Sequence, residues 1–280
     1  MNMRIGIDIG GTNISLGVFD NDFQLLRTTR MSSFRKDEPL DSTLQGLKQF
    51  IEPFISPDVE SIGIGVPSAL DRDSGVIYNA VNIPAWKNVP LKCYLEDAFR
   101  IPVNLNNDSN CFALGASRYF FSEKASSLVG ITLGTGVGMG IIIEGKLYNG
   151  NNTGAGEIGC IPYLDADLET YCSSHFFTRH GTDCKKAAEA LKAGSQTAKA
   201  LFEEFSMHLA KLVSTVLYAY DPEILVFGGG ISLAFPYFKD TMLQFLQSHF
   251  IYSETLEKLK IKQLCNDEVA LTGAAFLERT

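Results

Sequence analysis

From its third residue the chain alternates. Ile5, Ile7 and Ile9 are separated by Gly6 and Asp8, and after Gly10-Gly11 the alternation resumes at Ile14, Leu16 and Val18. A period of two predicts a pair of half-buried strands meeting at a glycine turn. The pattern returns at Gly130-Ile131-Thr132-Leu133-Gly134-Thr135-Gly136-Val137-Gly138, which enters a second glycine-rich bend and leaves through Ile141-Ile142-Ile143. Two such bends half a chain apart predict a duplicated scaffold, each half offering one loop to the same ligand. Elsewhere the period lengthens. Leu44, Leu47, Ile51 and Phe54 fall at helical spacing, 62–66 reads as a strand, and Phe112, Ala113, Ala116 and Tyr119 mark a helix from Ser109 onward. Residues 185–220 read as helix interrupted at Gly194, with Leu201, Phe205, Leu209, Leu212 and Val216 on one apolar face, and 269–277 read as a last helix. Strands alternating with helices make this an α/β protein.

The bends carry candidate chemistry. At the first, Gly10, Gly11, Thr12 and Asn13 combine open backbone N–H groups with a hydroxyl and an amide, which suit phosphate, while Asp8 suits the magnesium that accompanies it. A plain tight hairpin is the competing reading. The second bend, Gly134, Thr135 and Gly136, is not a dinucleotide fingerprint, because Met139 stands where the last glycine is needed. A near-match to the P-loop over 140–146 is followed by Leu147 rather than Ser or Thr, and reads as strand and turn. A third cluster, Gly228-Gly229-Gly230, ends the apolar run 224–227; it offers flat backbone to an adenine ring or makes a strand-to-helix turn. Asn107 and Asp108 follow the alternating Val103-Asn104-Leu105, so Asp108 lies between strand and helix, as an N-cap or as a general base.

Composition narrows the class. A chain of 280 residues, 45 % hydrophobic, can hold one large domain or two modest ones. A formal net charge of −8 and the lack of a basic run argue against a nucleic-acid surface. No apolar run is long enough to span a bilayer, and a strand beginning near residue 3 leaves no room for a leader. The expectation is a soluble, unexported, cytoplasmic protein. Its six cysteines are scattered, as reduced thiols would be.

Six motifs in order, 8–13, Asn107-Asp108, 133–138, 154–159, Leu168-Glu169 and 221–230, together resemble the ROK family of bacterial sugar kinases and repressors, members of the actin and hexokinase superfamily. The resemblance implies a two-lobed actin-like, hexokinase-like (ribonuclease H-like) α/β ATPase fold with a cleft between the lobes. It implies a smaller domain over 1–108, a larger one over 109–267, and a C-terminal helix over 268–280 that returns to the first. ATP with Mg²⁺ would occupy Asp8, Gly10, Gly11, Thr12, Asn13, Gly134, Thr135, Gly136, Gly228, Gly229 and Gly230. Asp108 would be the catalytic base, with Ser68, Asn82, Asn107, Glu157, Cys160 and Glu169 around a hexose or acetamido-hexose. The implied reaction moves the γ-phosphoryl group to a hexose hydroxyl, O6, in a homodimeric enzyme; glucokinase-like, allose kinase-like and N-acetylmannosamine kinase-like readings all fit.

One departure matters. Many members bind a structural zinc through a His after the Gly-Glu-Ile-Gly segment and three cysteines before the Glu, whereas here Cys160 replaces that His and eight residues, 161–168, precede Glu169. No structural zinc is expected, and Cys160 leaves the sugar open. A sensor or binder without catalysis is the alternative. Family repressors carry a helix-turn-helix before the first strand, whereas this chain begins with that strand and carries Asp8, Gly10, Gly11, Thr12 and Asp108, which favours the enzyme.

Overall fold

The computed structural model describes residues 2–80, 82–120, 125–151, 153–266 and 268–277. The chain opens with β1 (Met3–Ile9) and β2 (Asn13–Asp20), paired antiparallel with Ile9 opposite Ile14, and the Gly10 N–H donates to the Asn13 carbonyl at 2.9 Å to close the turn. After β3 (Leu25–Ser32) come α1 (Leu40–Ile51) and β4 (Val59–Val66). A small three-stranded sheet, β5 (Leu70–Asp71), β6 (Val76–Asn79) and β7 (Lys87–Pro90), leads to α2 (Leu91–Phe99) and β8 (Val103–Asn107). The first main sheet runs β3-β2-β1-β4-β8, with β1, β4 and β8 parallel.

Helix α3 (Asp108–Tyr119) then leads to β9 (Leu128–Leu133), β10 (Val137–Ile143) and β11 (Lys146–Leu147). A short hairpin, β12 (Pro162–Tyr163) and β13 (Ala166–Asp167), precedes α4 (Leu168–Cys172), α5 (Ser174–Arg179), α6 (Cys184–Lys192) and α7 (Gln196–Tyr220). The chain continues through β14 (Ile224–Gly228), α8 (Phe235–His249), α9 (Ser253–Lys258), β15 (Lys260–Gln263) and α10 (Glu268–Ala275). The second sheet runs β11-β10-β9-β14-β15, its β9, β14 and β15 parallel and β10 antiparallel to both neighbours. That is the plan of the first sheet repeated: an antiparallel hairpin pair followed by two parallel strands. The duplication read from the two glycine bends is therefore a duplication of sheets.

Local chemistry explains the long helices. Ser195 caps α7 by accepting from the Ala198 N–H, and Gly194, in a left-handed conformation, separates it from α6. Phe202, Phe205, Leu209, Val213 and Val216 of α7 are buried in the core of the second half. Leu201 of the expected face is only partly buried.

Two expectations are corrected by packing. Strands β1 and β2 are buried on both faces rather than one, because α10 covers the second face. The small residues that read as a solvent face make room for helix backbone: a Cβ on Gly6 would strike the Leu271 carbonyl oxygen, and one on Gly63 the Ala274 carbonyl. Helix α10 meets α3 in the same way, since a Cβ on Gly115 would collide with the Val269 carbonyl and one on Gly273 with the Cys111 carbonyl. The expected helix over 268–280 ends at Ala275, and 278–280 lie outside the described residues. On its other side α3 lies against the second sheet, with Phe112, Leu128, Ile142 and Val226 in one buried cluster. Helices α3 and α10 thus form a layer between the two sheets.

Backbone cannot step aside as a flexible side chain can. Gly63→Ala and Gly273→Ala should each destabilise the protein by about 1–3 kcal/mol or more in urea unfolding. Gly154→Ala, where a new Cβ meets no atom within 4 Å, should stay within about 0.5 kcal/mol of the parent.

Candidate active site

The strand order of each sheet brings loop ends together. A crevice of about 240 Å³ is lined by Asp8 from β1, Asp108 and Ser109 from the start of α3, Thr132 from β9, and Gly229 and Gly230 after β14. The strand leading into the first glycine bend and the strand leading into the second therefore border the same space, as does the third glycine cluster. Leu233, Leu264 and Cys265 wall its other end.

Asp108 is the first residue of α3. The cap belongs to Asn107, whose side chain accepts from the Ser109 N–H at 2.9 Å, so the reading of Asp108 as the N-cap is corrected. The Asp108 carboxylate also accepts from that N–H, at 2.8 Å, and from the Ser109 hydroxyl at 3.3 Å. Burial nevertheless dominates and pushes the Asp108 carboxyl up to about 6, against the Ser109 hydrogen bonds and with a smaller push from Glu157. The Ser109 hydroxyl lies 3.1 Å from that of Thr132, tying α3 to β9 across the crevice.

Glu157 acts on Asp108, and Glu169 acts on Glu157 in turn. Burial raises the pKa of Glu157, and Glu169 raises it further. Cys160, exposed at the end of the 3₁₀ turn Ile158–Cys160, has its thiol raised by partial burial and then by Glu157 and Glu169, so the three side chains share one neighbourhood. Glu169 has a second attachment: its Oε2 accepts from the Val137 N–H at 3.0 Å, and a Cβ on Gly136 would strike that carboxylate. The second bend is further closed by the Gly134 N–H donating to the Gly136 carbonyl at 3.0 Å, and is tied to α5 through Ser174.

The remaining expected residues fall as follows. Gly11, Thr12 and Asn13 are exposed at the tip of the first bend, and a Cβ on Gly11 would lie 3.1 Å from Nδ2 of Asn82, so Asn82 abuts that bend. Thr135 is exposed in the second bend, while Thr132 reaches the crevice. Gly228 is buried against the Phe112 ring, Gly229 adopts φ +81° beside the Leu133 carbonyl, and Gly230 is open. Ser68 differs: it is buried, and its hydroxyl approaches the Ala69 and Asn79 carbonyls, each at 2.8 Å. That engagement ties the segment after β4 to β6.

Between Cys160 and Glu169 stands the β12–β13 hairpin. Tyr163 packs edge-on against Tyr171 and bonds the Nδ1 of His208 at 3.1 Å. Cys172 is buried in the apolar core. Among the described residues no three His, Cys, Asp or Glu side chains gather as a metal set.

Thr132, Ser109 and the segment 264–266 went unread in the sequence. Thr132 had a signal, being the polar member of the Ile131-Thr132-Leu133 alternation. The segment 264–266 had none, because it joins the crevice only through β15 pairing with β14.

The ROK family model matches residues 4–280. An N-acetyl-D-glucosamine kinase of Vibrio cholerae serotype O1 is 30% identical, aligned over 98% of this chain and 99% of its own. A glucokinase of Halalkalibacterium halodurans is 31% identical over 88% of this chain and 84% of its own. The crystal structure of a ROK family glucokinase from Streptomyces griseus in complex with glucose and AMPPNP superposes with a TM-score of 0.82 at 26% identity, covering 99% of each chain. The sheet plan agrees with that likeness, and the fold is the actin-like, hexokinase-like α/β fold. On a match that runs nearly end to end, with Asp8, Asp108, Gly229 and Gly230 of three of those motifs lining one crevice, the chain belongs to the ROK family.

Proposed function

We propose that this protein is an ATP-dependent sugar kinase that transfers the γ-phosphoryl group of ATP to the O6 hydroxyl of a hexose or 2-acetamido-hexose. The observation that carries this reading is the position of Asp108, a desolvated carboxyl where the glycine-lined crevice meets the Glu157–Glu169 acids. The relatives named N-acetyl-D-glucosamine kinase and glucokinase support the substrate class.

In this reading the sugar lies against Glu157, Glu169 and Asn107, with Asn82 beside the first bend and Cys160 at the edge. Carboxylates accept hydrogen bonds from paired hydroxyls and so discriminate against sugars that lack them. Asp108 accepts the proton of the attacking hydroxyl as its oxygen bonds to the γ-phosphorus; the bond to the β,γ-bridging oxygen breaks and ADP leaves with that electron pair. The triphosphate lies along the bends at Gly10, Gly11, Thr12, Asn13, Gly134, Thr135 and Gly136, and the base lies over Gly228, Gly229 and Gly230. Among the described residues no Lys or Arg lines the crevice, and two carboxylates do. Backbone donors and a divalent cation must therefore balance the polyphosphate, and Asp8 fits such a cation, since magnesium takes one or two carboxylates plus phosphate oxygens. Bound magnesium neutralises the charge that develops on the transferring phosphoryl group. Closure of lobe 1–108 on lobe 109–267 would exclude water from that step. The family resemblance also supports a homodimer.

Asp108→Asn should lower kcat by about 10²–10⁴ in a coupled ADP-release assay while sugar affinity by calorimetry changes only a few-fold. Equal loss of both would reduce Asp108 to a structural residue. Only the ionised carboxylate accepts a proton, so kcat/KM for the sugar should fall as pH drops through about 6, with that limb missing from the residual activity of Asp108→Asn. The same raised pKa makes the folded state hold a proton that the unfolded state releases. Its contribution to stability is present below the unfolded carboxyl pKa and is lost as pH rises through about 6. Asp108→Asn should accordingly melt higher than the parent at pH 8 and close to it at pH 4. Glu169→Gln keeps an oxygen for the Val137 N–H and should raise the sugar KM about tenfold with little effect on the ATP KM, whereas Glu169→Ala should raise both.

A further inference from the structure

Helix α3 has two working faces. Ser109 and Phe112 border the catalytic crevice; Leu114 and Arg118, roughly half a turn round at about 100° per residue, line a second cleft of about 250 Å³. The second cleft is enclosed by α3, the edge strand β8, the β10–β11 turn and the segment after β5. Its polar lining is Arg72, Arg118, Lys146, Asn104, Asn106 and Asn149. Three cations face one void, and among the described residues no carboxylate lines it, although the whole chain carries a net charge of −8.

Among the described residues no carboxylate pairs with these cations. The Arg118 Nε is buried without a hydrogen-bond partner, and its guanidinium stacks over Phe23 at 5.0 Å, which holds the group in one orientation. Among the described residues no hydrogen bond or ion pair engages the head group of Arg72 or Lys146. Like charges gathered around a cavity repel one another unless an anion sits among them. The asparagines form a network below them. The Asn106 Nδ2 donates to the Asn149 Oδ1 at 2.8 Å, while the Asn106 Oδ1 accepts from the Asn107 N–H at 2.8 Å and from the Asn110 Nδ2 at 2.9 Å. The Asn110 Oδ1 is buried and unpartnered.

We propose that this cleft is a second binding site, taking a small phosphate ester of a polyhydroxy compound. The Arg72, Arg118 and Lys146 head groups receive the phosphate, for which a planar guanidinium fork and an ammonium are suited. The Asn104 Oδ1 and the remaining amide hydrogens of Asn104, Asn106 and Asn149 are left to pair with the hydroxyls, the other positions being taken by the Leu147 and Leu277 carbonyls and the asparagine network. The site reports to the base. Asn106 holds the N–H of Asn107, Asn107 caps α3, and Asp108 is the first residue of that helix, so a ligand on Asn106 is two hydrogen bonds from the catalytic segment. A sugar phosphate, the product class of the proposed reaction, has this chemistry; that link rests on the kinase reading, and the binding does not.

The test is a calorimetric titration of the full chain with glucose 6-phosphate and, separately, inorganic phosphate, each with glucose and AMPPNP present at saturation. The parent should bind glucose 6-phosphate saturably and more tightly than inorganic phosphate. An Arg72→Ala, Lys146→Ala double variant, with melting temperature unchanged, should lose at least tenfold in affinity. No saturable binding by the parent, or equal affinity in parent and variant, would overturn the site. Equal affinity for the two probes would overturn the ester and leave a free-phosphate site. Because no turnover is read, failure here is distinct from failure of the kinase reading, which the ADP-release assay decides.

Discussion

The architecture depends on backbone meeting backbone at the crossing of α3 and α10. Glycines 115 and 273 let the two helices approach so closely that carbonyls occupy the space of side chains, and Gly6 and Gly63 let α10 settle onto β1 and β4 in the same manner. Helix α3 is thereby fixed to the first sheet through α10. It is fixed to the second by Phe112 and by Gly138, where a Cβ would collide with the Ser109 hydroxyl. Asp108 stands at the head of the helix clamped in this way. The general base proposed at this position would have to be held within a fraction of an ångström of its proton, and a contact with no side-chain slack suits such placement.

Charge is distributed in a complementary way on the two faces of that helix. On the crevice face, acids are gathered and partly desolvated, so Asp108 and Glu157 both hold their protons to higher pH than free carboxyls. Glycine backbone, the hydroxyls of Ser109 and Thr132, and apolar groups that include Phe112, Leu233 and Leu264 line the crevice beside Asp8 and Asp108. The opposite face collects three cations over a bed of asparagines. A nucleotide phosphate on the first face needs a metal beside it, whereas a phosphate on the second meets positive charge already in place. One helix, with Asn107 at its cap and Asn106 just before it, is common to both.

Much of this was legible from local pattern. The hairpin at Gly10-Gly11, its counterpart at 134–136, the start of α3 after Val103-Asn104-Leu105 and the break before α7 at Gly194 all follow from period and punctuation, which near neighbours dictate. What escaped was contact between distant segments. The alternation of β1 is real, yet the face that looked solvated is covered by α10 from the far end of the chain. Ser68 was named through the family resemblance alone, and its hydroxyl reaches the Asn79 carbonyl, a pairing that exists only once β6 folds back. Asn107 and Asp108 are equally good caps by residue type, and only the helix geometry assigned the cap to Asn107 and left Asp108 facing the crevice.

By itself the sequence determined the glycine bends, the duplicated strand plan, the candidate base and the family. Each is written in adjacent residues, where steric limits on φ and ψ and the two periodicities act directly. The tertiary structure alone decided that Asp108 is desolvated enough to titrate near 6, that Glu169 holds the Val137 N–H, that Thr132 rather than Thr135 lines the crevice, and that Arg72, Arg118 and Lys146 share a cleft. Solvation and electrostatic coupling depend on the distance between groups in space, and chain order leaves that distance open until the sheets close around α3 and α10.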